Sequence, residues 1–238
     1  MTTTAPRPAV PASFVSEAVV PAGTDLRAAF RAAYENRYTW DPSFGGYQGR
    51  CQWLQLGPTG EAERSLEGSF AVGADLKAML EGIEDTEVHK AVASQLWEVA
   101  IHRVRRPFEQ THGDNTFTAG DSSSQGLEVI VGGKNNGDRY RIANNVVTMV
   151  HRHIHGTVVT IETESVTDTG HGYLSHRYSS RYSDPATGEP RGHRQQFTDT
   201  FVPLTPEGPW VLGERVIETE GEAGPERQSF RFLDLSPL

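Results

Sequence analysis

The run Val150-His151-Arg152-His153-Ile154-His155 carries the densest chemical signal in the sequence. Side chains on a strand alternate faces, so His151, His153 and His155 share one face while Arg152 and Ile154 take the other. Two imidazoles at i and i+2 lie about 6.6 Å apart at Cα, and both can reach one ion at about 2.0–2.1 Å. His151 and His155 would be about 13 Å apart unless a bulge bends the strand, so two ligands are expected, with the third imidazole either supporting a ligand from behind or acting as an acid–base group. Further ligands should come from adjacent strands. Glu162 and Glu164 share a face of the next strand, and His176 lies beside Tyr178 and Tyr182 on the one after. Histidines with one carboxylate suit copper, zinc or iron rather than magnesium or calcium, which want mostly oxygen. The metal set would be drawn from His151, His153, His155, His176 and Glu162, with Tyr178 and Glu164 nearest for proton transfer. The plain alternative is three histidines on a solvated sheet face.

Other ionisable residues read less sharply. Asp199 stands between Phe197 and Phe201, and Glu214 between Leu212 and Val216. A charged residue flanked by large apolar groups at i±2 points into a core or cavity and needs a partner there. His102 and His112 sit among Arg103, Arg105, Arg106 and Glu109 near a helix end, where they read as favourable cations; the sharper role would be to join the strand histidines. His89 reads as a surface residue, and His171 and His193 as loop residues. Cys51 reads as a small buried side chain, because no Cys/His signature accompanies it. Gly132-Gly133-Lys134-Asn135-Asn136-Gly137 reads as a hairpin turn rather than a phosphate loop. Tyr34, Tyr38, Trp40, Phe44 and Tyr47 form an aromatic cluster best read as core packing.

The elements that would position these groups follow from spacing. Thr24 is a good N-cap for a helix over Asp25–Tyr38, with Leu26, Phe30, Ala33 and Arg37 at helical intervals. Tyr47–Leu56 and Arg64–Val72 alternate around the Gly57-Pro58-Thr59-Gly60 turn and predict a hairpin. A second helix is expected over Asp85–Arg105, with Val88, Val92, Leu96, Val99 and Val104 in one apolar stripe that Pro107 closes. After Thr116 the pattern alternates throughout, giving eight further candidate strands: Leu127–Val131, Asp138–Ala143, Val146–His155, Val158–Thr167, Gly172–Tyr182, His193–Val202, Trp210–Glu218 and Gln228–Leu235. Two early helices and many later strands predict an α+β fold, a large curved antiparallel sheet with one face covered by the two helices.

The chain has 238 residues, 22 Lys plus Arg against 31 Asp plus Glu, nine histidines and one cysteine. That length predicts one domain over residues 24–238, preceded by a flexible N-terminal arm over residues 1–23 that Pro6, Pro8, Pro11 and Pro21 keep from forming a helix. One cysteine excludes an intrachain disulfide, and a net charge of −9 argues against nucleic-acid binding. No apolar run approaches the roughly 20 residues of a membrane span or resembles a signal peptide, so a soluble, cytoplasmic protein is expected.

Phe30-Arg31-Ala32-Ala33-Tyr34-Glu35-Asn36-Arg37-Tyr38-Thr39-Trp40-Asp41 resembles a block of an uncharacterised family of cyanobacteria, plastids and some other bacteria, the domain of unknown function 3386. Pro107-Phe108-Glu109-Gln110 with His112-Gly113, and Asp168-Thr169-Gly170 with Gly172-Tyr173 and Ser175, extend the similarity over roughly residues 24–220. Pro107 departs from the serine of many relatives. The resemblance implies a lipoprotein-carrier-like half-barrel with an apolar cavity, and it implies no activity. The cyanobacterial pattern lacks the three strand histidines, which would fit a subgroup that acquired a metal.

The sequence therefore leads to a metal-dependent enzyme with His-ligated copper, zinc or iron. It would act on a small, partly apolar molecule, with an oxidoreductase of specialised metabolism favoured over a hydrolase or lyase. The alternatives are a non-catalytic carrier of a lipid or pigment in the half-barrel cavity, and a metal-free cyclase or isomerase. The partner is a small-molecule substrate or lipophilic ligand in each case.

Overall fold

Asp25 opens the first helix: its carboxylate accepts the backbone N–H of Ala28 at 3.1 Å, and helix α1 runs over Leu26–Glu35. The cap is therefore Asp25 and not Thr24. The computed structural model describes residues 12–13, 23–123, 125–221 and 224–238, so most of the expected N-terminal arm lies outside the described residues. The strands are β1 (Ala12–Ser13), β2 (Gly46–Leu56), β3 (Ala62–Gly73), β4 (Ala78–Glu81), β5 (Asn115–Ser123), β6 (Gly126–Gly133) and β7 (Arg139–Ala143). They continue as β8 (Val146–Ile154), β9 (Thr157–Asp168), β10 (Tyr173–Ser183), β11 (Gln195–Pro203), β12 (Trp210–Thr219) and β13 (Glu226–Pro237). Helix α2 spans Thr86–His102 and a short α3 spans Phe108–His112. The large open antiparallel sheet with few helices that the alternation predicts is present.

The described residues fall into two compact units. The first contains Thr39–Arg105 and Phe197–Leu238, with strands in the order β4-β3-β2-β13-β12-β11. Its helix α2 lies against β2 and β4 and starts at Asp85, whose carboxylate accepts the N–H groups of Glu87 and Val88, both at 3.0 Å, and holds Arg64 at 2.7 Å. Such a cap contributes about 1 kcal/mol. Val88, Val92, Leu96 and Val99 are buried as the stripe predicts, while Val104 lies past the helix end and is exposed. On β2 the face of Tyr47, Cys51 and Trp53 is buried, and Trp40, Phe44 and Tyr47 pack ring to ring beneath it. Cys51 stands between Gly68 and Phe232 in the ladder, and burial pushes its thiol pKa up. Strand β13 bulges between Leu233 and Ser236, with Asp234 at φ 52°. The carbonyl of Leu233 comes so close to β2 that a Cβ on Gly49 would sit 2.5 Å from it, which explains the glycine there.

The second unit contains residues 23–38 and Arg106–Gln196, with strands in the order β10-β9-β8-β7-β6-β5 and β1 beside the far end of β9. Helix α1 lies against β5, β7 and β8 and buries Phe30, Ala33 and Tyr34 on Leu127, Val129, Val131 and Tyr140. Tight hairpins join β7 to β8 through Asn144-Asn145 and β8 to β9 through His155-Gly156. All four of these residues have positive φ, the geometry a two-residue antiparallel turn of matching twist requires.

Candidate functional site

The histidine strand can be read row by row from its register. His151 pairs with Arg139 on β7 and with Thr160 on β9, and Thr160 pairs in turn with Arg181 on β10. His151 and His153 share a face, with rings 5.7 Å apart, as alternation predicts. Their Nδ1 atoms turn to different partners. Arg139 Nη2 donates to His151 Nε2 at 3.5 Å, which fixes the proton on Nδ1, and that N–H donates to Thr160 Oγ1 at 2.9 Å. Burial holds the His151 pKa below its usual value, reinforced by the charges of Arg139 and Arg181. The His153 ring instead meets the buried carboxylate of Asp138 at 3.4 Å, and the same carboxylate accepts the His153 backbone N–H at 2.9 Å and Arg152 Nε at 3.3 Å.

The other expected ligands are dispersed for local backbone reasons. His155 has left the strand and occupies the left-handed position of the hairpin turn, at φ 48°. His176 falls in a register break of β10 between Ser175 and Arg177 and takes no place in the ladder. Glu162 sits one row from His151, opposite Met149 and Ser179, and is exposed. The two expected proton-transfer groups are equally separated in environment. Glu164 lies where β9 gains a residue relative to β10 and pairs with Arg177 at 2.8 Å, whereas Tyr178 is buried and its backbone oxygen accepts from Gln196.

Among the described residues no group of three or more His, Cys, Asp or Glu side chains could hold a metal ion. The expectation of a metal-dependent enzyme, with copper, zinc or iron on His151, His153, His155, His176 and Glu162, is corrected by that finding. His151 Nε2 already accepts from Arg139 and would have to give up that contact to bind a metal, and among the described residues no third ligand completes a set with the His151–His153 pair. Thermal unfolding of metal-stripped, tag-free protein should therefore be unmoved by zinc or copper. A site filled at hundredfold excess over Kd would add about 2.7 kcal/mol and raise Tm by roughly 5 °C or more, which would restore the metal reading.

His112 does not join the strand histidines. It is 3% exposed, ringed by Phe30, Tyr34, Phe108, Phe117 and Tyr140, and its Nδ1 accepts from Asn115 at 3.2 Å. Tyr140 and Arg139 are neighbours on β7, so the face that meets His112 is the one opposite His151. Burial, helped by Arg152, pushes the His112 pKa down to about 4, so this imidazole is neutral and not the helix-end cation expected.

Two constellations in the first unit are absent from the expected set. The first is buried. Asp199 points inward as its flanking phenylalanines predict, and its carboxylate takes both Nε and Nη2 of Arg215 at 2.7 Å. Arg215 also donates to Gln95 of α2 at 2.8 Å and lies 5.3 Å over the Phe197 ring. Glu214, expected inside, faces the other way and holds Arg231 and Ser229, both at 2.9 Å. With Gln95 at 2.8 Å and Glu98 at 3.5 Å from Arg215, this cluster ties α2 to the sheet.

The second is a concavity of about 380 Å³ on the opposite sheet face, among β4, β3, β2 and β13. Two cross-strand rows line it: Ser236, Gln48, Ala71 and Met79 in one, and Arg50, Ser69 and Glu81 in the other. The bulge in β13 turns Asp234 onto this face, where it takes Arg50 Nε at 2.6 Å. Met79 is 65% exposed, a large flexible apolar side chain in a polar-rimmed hollow. Arg50 and Ser69 lie on strands that alternation places, whereas β4 is too short for its alternation to register and no period marks the bulge that carries Asp234. No histidine lines the hollow.

A family model described as "Protein of unknown function (DUF3386)" matches residues 22–238. No curated protein matches the chain. Among solved structures, a Vibrio parahaemolyticus domain described as an outer membrane lipoprotein-sorting protein is similar, at 6% identity and a TM-score of 0.32, over 89% of this chain and 91% of that one. Among the described residues no helix is long and apolar enough to cross a membrane.

Proposed function

The chain belongs to the DUF3386 family, proteins of unknown function, and from that premise we propose a function on its own geometry: a binding protein, or carrier, for a small amphipathic molecule of the lipid or pigment type. The observation that carries this reading is the 380 Å³ hollow with Met79 exposed inside it. Ligand sites are concave, of about 300–1,000 Å³, and combine apolar lining with a few fixed polar groups. Here Ala71 and Met79 supply the apolar strip, and the Arg50–Asp234 pair and Ser69 supply the polar rim. Met79 is suited to the task because an unbranched thioether adapts its shape to what lies on it.

Nile red, a neutral lipophilic dye, is a direct probe. It should bind with a fluorescence increase that Ala71→Trp lowers by more than about tenfold in affinity, because the indole fills the space beside Met79. The circular dichroism of the variant should be unchanged, since position 71 is on the face away from the aromatic core. Undiminished dye binding by a folded Ala71→Trp variant would overturn the assignment of this hollow. Mass spectrometry of an organic extract of the purified protein should show a co-purifying amphiphile.

A further inference from the structure

We propose that the head group of the bound molecule is a cation of ammonium type, seated on Glu81 with its apolar tail along Met79 and Ala71; this rests on the binding function proposed above. The charges of the hollow carry the argument. Arg50, its one cation, is held at 2.6 Å by Asp234. Glu67, one row further along the same face, accepts Gln52 Nε2 at 2.9 Å and adds negative charge to the rim. The Glu81 carboxylate has no hydrogen bond or ion pair among the described residues, and it stands two strands from Arg50, about 10 Å away across the ladder. The hollow therefore presents one neutralised pair and one uncompensated carboxylate beside an exposed thioether.

An anionic head group placed here would meet Asp234, Glu81 and Glu67 with an arginine already engaged. An ammonium would find Glu81 open, with the Ser69 side chain on the same row and face. The chain's net charge of −9 biases approach in the same direction. Met79 and Ala71 lie side by side in the adjoining row, so a chain leaving the head group at Glu81 runs along apolar surface at once. Charge and apolar strip are thus joined in the order that an amphiphilic amine or quaternary ammonium requires.

Three probes of equal tail length separate the possibilities by isothermal titration calorimetry below their micelle concentrations: decyltrimethylammonium, decanoate and decanol. The cation should bind about tenfold more tightly than decanoate at low salt and lose most of that margin at high salt. Glu81→Gln should bring the two within about threefold while leaving decanol unchanged. Asp234→Asn should swing the preference toward decanoate by freeing Arg50, and asparagine tolerates the left-handed backbone as aspartate does, so the variant folds. Equal or tighter binding of decanoate by the wild-type protein, or a cation preference that survives Glu81→Gln, overturns the inference and leaves the binding function standing. Failure of all three probes overturns both.

Discussion

Arg215→Ala should lower stability by about 3–5 kcal/mol in urea denaturation, the largest loss expected from any single substitution away from the apolar core. The guanidinium is 2% exposed and the Asp199 carboxylate it holds is equally sheltered, so truncation strands a carboxylate that water cannot reach. It also releases Gln95 and removes the cation from the Phe197 ring. Arg215→Met combined with Asp199→Leu removes both charges and keeps the volume, and most of the loss should be regained. If the single variant loses less than about 1 kcal/mol, the cluster is not what secures α2 to its strands.

Acidification should expose His112 in a comparable way. An unfolded imidazole takes its proton near pH 6.5, whereas the folded one does so only at about 4, because burial first and the charge of Arg152 second oppose the cation. Arg37 and Arg27 act in the same direction, and Asp138 opposes them. Between those two values the unfolded state binds more protons, so stability rises with pH across the window and falls as pH drops through it. The gap corresponds to about 3 kcal/mol lost between pH 6.5 and 4. His112→Phe keeps a ring in the cage and cannot protonate, and Asn115 retains its bond to Asn135. Denaturation at a series of pH values should therefore show a flatter profile for the variant. Parallel profiles would mean that the imidazole is solvated and titrates normally.

Alternation in the sequence located the strands well where hydrophobic and polar residues keep step. Val158–Thr167 is expected and Thr157–Asp168 is found, and Trp210–Glu218 becomes Trp210–Thr219. Asp199 is legible for the same reason, since Phe197 and Phe201 flank it on the buried side. A period of two cannot reveal an inserted residue, and the site is where insertions matter. Breaks in register remove His176 and Glu164 from the rows in which simple counting places them, and the bulge at Asp234 brings a carboxylate to Arg50 that counting would put elsewhere. His155-Gly156 has the chemistry of a two-residue turn, but His155 also continues the alternation of His151 and His153, which masks the turn. Strand β4 has four residues and α3 five, both shorter than any periodicity can mark, so Met79 and Glu81 had no element to place them. Arg215 is not legible because its neighbour Glu214 sits between larger apolar residues, although the pleat turns Glu214 outward.

Cys51 gives the protein a natural stopwatch. It is the one thiol in the chain, 1% exposed, on the face of β2 opposite the hollow. A sulfhydryl reagent can label it only when that part of the ladder opens, so the labelling rate measures the opening of the strands around it. Because Gly49 and Arg50 adjoin Cys51 on the same strand, a molecule lodged in the hollow braces the backbone on which the thiol sits. Its occupancy can then be followed as protection of a single sulfur atom, with no engineered reporter.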